Sequence, residues 1–164
     1  MTTDPTPALP VLAGSEAATA LVRAWCEWHV APVLTQTVTL DTPDGGAILL
    51  PSKRVVNIVR ATYDGRDITD GLEWSADGMI RYPFRSKFRA LTVTMEHGFD
   101  EAVIAPLIER IEGRLTTARP GVSSASETTG PLSQSITFSS GAAGAGLLSE
   151  DRDALMPYRL TWGV

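Results

Sequence analysis

Ile104, Leu107, Ile108, Ile111 and Leu115 recur at offsets of 3, 4, 7 and 11 residues, and no other pattern in the chain narrows its possible folds as much. This spacing lines one side of an α-helix with apolar side chains and leaves Glu109, Arg110, Glu112 and Arg114 on the other. A single helix cannot bury its own stripe, so other elements must cover it. Two segments qualify. Ala18, Leu21, Val22, Trp25 and Trp28 follow a helix-opening Ser15, and a short terminal helix opened by Ser149-Glu150-Asp151 carries Leu155 and Tyr158 on one face. Pro32 is expected to close the first helix and Arg119-Pro120-Gly121 the long one. Asp100 is placed to cap the long helix. Pro106 fits only a first turn, so that helix is expected to begin near Ala105 rather than Ala102. The expected core is Leu21, Trp25, Leu107, Ile108, Ile111 and Leu115, joined by Leu155. In this reading the two tryptophans are packing or subunit contacts, not a ligand platform.

Between the helices the texture changes to short alternating runs punctuated by turn residues. The runs 37–40 and 47–50 flank Asp44-Gly45-Gly46, a hairpin signature. The run 54–63 ends at Asp64-Gly65, and 72–75 and 79–82 flank Ala76-Asp77-Gly78. In 90–96, Leu91, Val93 and Met95 alternate with Thr92, Thr94 and Glu96. About six short strands suffice for a small sheet or barrel-like unit with its own core. Beyond the long helix, residues 120–148 are rich in Ser, Thr, Gly and Ala, with one candidate strand at 134–139. The expected class is α+β: a small core of three main helices, an inserted antiparallel β domain and a flexible C-terminal arm. The boundaries are 1–34 (arm and first helix), 35–97 (β domain), 98–121 (second core helix), 122–148 (flexible arm) and 149–164 (last helix and tail).

The chain has 164 residues, 43% of them apolar and 20% charged, which suits one folded domain. A net charge of −5 argues against a main role in gripping nucleic acid. Residues 1–10 hold three prolines, Asp4 and no basic residue, unlike a signal or transit peptide. No apolar run is long enough to span a bilayer, and the lone Cys26 excludes an internal disulfide and fits a reducing compartment. His29, His97 and Cys26 lack the paired spacing of a zinc site, and no other cofactor is implied. There is no G-x-S-x-G, and the serines cluster in the expected loop. The pairs Asp64/Asp67 and Asp70/Glu73 fall in turns, while Glu150, Asp151 and Asp153 suit a helix N-terminus. Arg81, Arg85, Lys87 and Arg89 interleave with Tyr82, Phe84 and Phe88. That is the one patch suited to nucleic acid; the plainer reading is a charged β edge that blocks pairing. No catalytic, metal or cofactor residue is expected.

The run Leu50-Pro51-Ser52-Lys53-Arg54-Val55-Val56-Asn57-Ile58-Val59, the Tyr63-Asp64-Gly65 turn and the strand leading into His97-Gly98-Phe99-Asp100 resemble the head-to-tail connector (adaptor) proteins of long-tailed bacteriophages. The likeness continues through Arg119-Pro120-Gly121-Val122, Ser126-Glu127-Thr128-Thr129-Gly130, 133–138 and Leu155-x-x-Tyr158-Arg159, covering about 15–160. Each motif is short; their order and spacing carry the likeness. The chain departs from the family in its late Pro106 and in the Gly/Ala run at 141–146. The resemblance implies a structural virion protein in the neck, made in the host cytoplasm. It implies a closed homo-oligomeric ring of about twelve copies, made by heterologous contacts. Its partners would be the portal protein and a stopper or other tail-side neck protein, with genome DNA passing through unbound and no membrane involved. It further implies interface residues in the arm and C-terminus, at Gln134, Ile136, Phe138, Leu155, Tyr158, Arg159, Leu160 and Trp162, ordering on contact with neighbours or portal. The alternatives are another neck component (a stopper or tail-completion protein) and, from another class, a small ligand-binding or hydrolytic β-domain protein.

Overall fold

The computed structural model describes residues 9–117 and 146–160, and the backbone of two strands at 124–129 and 132–137. The chain is α+β, with one apolar cluster among its helices and a second inside its β unit.

Helix α1 spans Glu16–Cys26 and opens as its sequence suggests: Ser15 Oγ accepts the Ala18 N–H at 3.2 Å. It closes earlier than Pro32. Glu27 takes the left-handed conformation (φ 68°), and its N–H bonds the Arg23 carbonyl. The reason lies in Arg23, whose guanidinium donates to the carbonyls of Pro10, His29 and Ala31 and so holds the reversed chain against the helix end. Trp28 therefore leaves the helix, yet it remains buried in the same core.

Helix α2 spans Glu101–Thr117, and Asp100 Oδ1 accepts the Ala102 N–H at 3.0 Å, the expected cap. Pro106 lies inside the helix, so the start near Ala105 is corrected to Glu101. Starting at Ala105 would pull the fully buried Ile104 out of the core. That burial offsets the one hydrogen bond that Pro106 cannot make. Helix α3 spans Ser149–Leu155 and runs into a 3₁₀ turn, Met156–Tyr158. Its opening amide, Leu148 N–H, is bonded by Asp151 Oδ2 at 3.0 Å. Ile108, Ile111 and Leu155 are fully buried between the helices, and Leu21, Trp25, Leu107 and Leu115 pack half-buried around them.

The β unit divides into two antiparallel sheets. Strands β1 (Leu34–Thr42), β2 (Ala47–Leu49), β3 (Val55–Tyr63), β4 (Arg66–Asp67), β5 (Glu73–Trp74), β6 (Met79–Arg81) and β7 (Lys87–His97) assort in the orders β1-β7-β3-β4 and β2-β6-β5. The alternation in β7 holds: Leu91, Val93 and Met95 are fully buried while Thr92, Thr94 and Glu96 are half-exposed. The turn at 76–78 joins β5 to β6 as expected. The hairpin expected around Asp44-Gly45-Gly46 is not formed. β1 pairs along β7, with Val38 opposite Val93 and Leu40 opposite Leu91, while β2 pairs with β6. The long partner wins because it continues the apolar register of β1, which the three residues of β2 cannot do. Further on, β8 (Ser124–Thr129) pairs antiparallel with β9 (Leu132–Thr137); the sequence had suggested only the second of these strands.

Candidate functional site

Among the described residues, three places concentrate unusual chemistry. The first is the joint between β7 and α2. His97 ends the strand, fully buried, with its ring 4.3 Å from that of His29. Trp28 stacks on His97 and meets Phe99 edge-on. Nε2 of His97 lies 2.9 Å from Gln36 Oε1, and Nε2 of His29 lies 3.1 Å from the Pro32 carbonyl. Gly98 takes φ +120°, and a Cβ there would stand 2.4 Å from the Pro32 oxygen and 2.7 Å from His29 Nε2. Its N–H bonds Arg54 and that of Phe99 bonds Val30, so the two apolar clusters are tied together at this residue pair.

Burial pushes the His97 imidazole down to about 4, with the neighbouring His29 acting in the same direction. Burial likewise lowers His29, against hydrogen bonds to backbone carbonyls that raise it. Between 6.5 and about 4 the unfolded chain binds a proton at His97 that the folded chain refuses. Stability is therefore full above 6.5 and falls as pH drops through that window. His97→Gln is expected to flatten this part of the slope in urea midpoints measured across the window; a slope equal to the parent's would place the dependence elsewhere.

The second place is a clasp between α2 and α3. The fully buried carboxylate of Asp151 receives Arg110 at 2.9 Å and also Arg114. The sequence assigns Asp151 to a helix N-terminus and both arginines only to the side of the helix opposite its apolar stripe. The signal it offered was the i, i+4 spacing of the two arginines, which aims both at one point. The C-terminal turn closes over the same body. Trp28 Nε1–H donates to the Tyr158 carbonyl at 2.6 Å, Leu160 N–H to Cys26 at 3.0 Å, and Arg159 pairs with Glu27 at 2.8 Å. The guanidinium of Arg159 lies 4.7 Å from the Trp25 ring centre. Burial pushes the Cys26 thiol up to about 12, which keeps it protonated and a poor nucleophile.

This geometry relocates part of the expected interface. Leu155 is fully buried in the chain's own core, so it has no surface to offer a neighbour: a correction with a packing cause. Tyr158, Arg159 and Leu160 are half-buried, already ordered on the helical body and still partly open. Gln134 and Ile136 fall on β9. Phe138 and Trp162, and most of the 122–148 segment outside its two strands, lie outside the described residues.

The third place is a bulge at the start of β7. Leu40 pairs with Leu91 but Thr42 with Lys87, so Asp41 alone faces Phe88, Arg89 and Ala90. Asp41 accepts the Arg89 N–H at 2.7 Å, Asp44 the Ser86 N–H at 2.7 Å, and Thr42 Oγ1 donates to Arg85 at 2.6 Å. The Tyr63 hydroxyl bonds both the N–H and the carbonyl of Arg85. The segment so held leaves Phe88 87% exposed. Phe84 is buried and packs against Tyr63 and Tyr82, so the interleaved aromatics of the sequence are not a shared platform. Nearby, Gly46, Gly71, Glu73, Arg81, Tyr82 and Pro83 line a cavity of about 340 Å³. Glu73 and Arg81 sit opposite each other across the strands.

Among the described residues no group of three His, Cys, Asp or Glu is placed to hold a metal ion, and no helix is long and apolar enough to cross a membrane. No protein-family model matches the chain, and no curated protein matches it in sequence. What fold and geometry define is a class: an α+β protein with a clasped helical body and an antiparallel β unit inserted between its first two helices.

Proposed function

We propose that this chain is a structural virion protein, a head-to-tail adaptor that forms a ring between the portal and the tail-side neck proteins of a long-tailed bacteriophage and encloses the DNA channel. One observation carries the reading. One of the motifs in the likeness, His97-Gly98-Phe99-Asp100, forms the joint that locks the β unit to the helical body. A likeness in surface residues alone would not have this consequence.

Charge supports it as well. The β unit, 35–97, holds eight Lys/Arg and eight Asp/Glu, which leaves six basic and eleven acidic residues in the rest of the chain. The whole net charge thus belongs to the helical body and the arm, a distribution suited to a wall that DNA slides past without sticking. The open edges of Tyr158, Arg159 and Leu160 remain the surface offered to the portal. Mixing the purified chain with purified portal rings tests this. Co-sedimentation at about one copy per portal subunit is expected, and Tyr158→Ala with Arg159→Ala should weaken it. A chain that never joins the portal would sink the adaptor reading and favour a component further along the neck.

A further inference from the structure

We propose that β9 of one copy of this chain adds as a strand to the free edge of β1 of the next copy, joining neighbours head to tail. The proposal deepens the ring reading above and rests on it.

The two strands share one sequence pattern. β1 begins Leu34-Thr35-Gln36-Thr37-Val38-Thr39, and β9 is Leu132-Ser133-Gln134-Ser135-Ile136-Thr137. The leucine, the glutamine and the last threonine are identical, serine stands twice for threonine, and isoleucine stands for valine. Leu40 and Phe138 extend the match in sequence by one apolar position. In both strands the glutamine stands midway between two aliphatic residues, with a hydroxyl residue on either side of it. Setting Gln134 opposite Gln36 therefore puts aliphatic beside aliphatic and hydroxyl beside hydroxyl, whether the strands run parallel or antiparallel.

β1 is open to such a strand. Among the described residues it pairs with β7 alone, as the outer strand of its sheet. The other outer strands of the β unit, β2, β4 and β5, have two or three residues and give little to pair with, whereas β1 has nine. Its edge also lacks the usual guards: 34–40 contain no charge and no proline, and Thr35, Gln36, Thr37 and Thr39 are exposed. The register on β7 runs unbroken from Leu34 to Leu40 and shifts only beyond it, so the regular stretch is the stretch that β9 matches.

β9 is open in the same way, with β8 on one side of it in a sheet of two strands. Two strands alone are marginal in water, and β1 supplies a third. β8 fits the edge less well, because its run Ser124–Thr129 has no aliphatic pair about its centre and carries Glu127. Within one chain β9 and β1 stand in separate sheets, which points to a second copy as the acceptor. Donor and acceptor differ in place, so the contact is heterologous and passes from copy to copy until it closes. Main-chain hydrogen bonds hold such an added strand, and the repeated side-chain pattern fixes its register.

The test uses the full chain in sedimentation-velocity runs over a concentration series, with circular dichroism as a fold control. The parent chain is expected to assemble. Thr37→Lys puts a charge on the acceptor edge. Ser133→Glu with Ser135→Glu puts charges on either side of Gln134, so one of them meets residue 37 in either strand direction. Each altered chain alone should assemble about tenfold or more weakly than the parent. An equimolar mixture of the two should recover assembly, which misfolded variants could not do. In that mixture opposite charges meet where the altered strands pair, and the alternate junction is unaltered. The recovery should fade at high salt. Thr37→Lys assembling like the parent would overturn edge addition. Loss with Thr37→Lys but not with the glutamate pair would give the edge to another segment and overturn the role of β9. A mixture as weak as its components would overturn the pairing of these two strands. A parent chain that stays monomeric throughout would overturn the self-contact, while the portal experiment tests the adaptor reading separately.

Discussion

Replacing Gly98 by alanine is expected to unfold the joint between the two bodies and to cost about 4 kcal/mol or more of stability. Two independent effects act together. The φ of +120° is a conformation that alanine adopts only under strain. The new Cβ would also stand 2.4 Å from the Pro32 carbonyl oxygen, a backbone atom that cannot swing aside. Relief requires moving Pro32 or Gly98, and either movement breaks the Gly98–Arg54 and Phe99–Val30 hydrogen bonds that tie strand to helix. Urea unfolding followed by tryptophan fluorescence measures the loss, since Trp28 lies at the joint. A Gly98→Ala chain as stable as the parent would show that the joint does not hold the bodies together. Gly65→Ala is the control: it shares the positive φ but has open space around it, so it should carry only the conformational part of the penalty.

Asp151→Ala is expected to cost about 3 kcal/mol, at the low end of what breaking a buried ion pair costs. The low end applies because Arg110 and Arg114 are partly exposed and can return to water when the carboxylate is gone. The same substitution removes the bond to Leu148 N–H that opens α3. Since α3 delivers Leu155 to the core, the loss should spread to the whole C-terminal turn. Asp151→Asn keeps an acceptor for the cap but not the charge, so it should fall between Asp151→Ala and the parent. Arg114→Ala combined with Asp151→Ala should cost less than the two separately, because both remove one contact. Urea midpoints of the four chains check this. Independent, additive losses would mean that the clasp is not a unit.

Both predictions rest on features the sequence showed only in part. The amphipathic stripes were plain because helical periodicity is local: Ile104, Ile108 and Ile111 are fully buried where their spacing placed them. So was the alternation of β7, which sits at the centre of its sheet and is specified by its own side chains. The pairing of β1 was not legible. The Asp44-Gly45-Gly46 turn is a local signal for a hairpin, whereas the register of Val38 and Leu40 on β7 is set about fifty residues away. Helix ends were misplaced for a related reason. Pro32 and Pro106 are strong local signals, but the Arg23 side chain and the burial of Ile104 decide where the helices stop and start. Asp151 looked like a dipole residue because nothing in its own neighbourhood names its partners on α2. Phe88 was visible as one aromatic among three; its isolation appeared only once Phe84 and Tyr82 were seen to pack on each other.

The most direct measurement is an electron cryomicroscopy reconstruction of the neck of a tailed particle whose genome encodes this chain. A closed ring of about twelve copies between the portal and the tail-side proteins is the expected result, with the DNA path running through its centre. A neck whose portal–tail junction contains no copy of this chain would contradict the adaptor function.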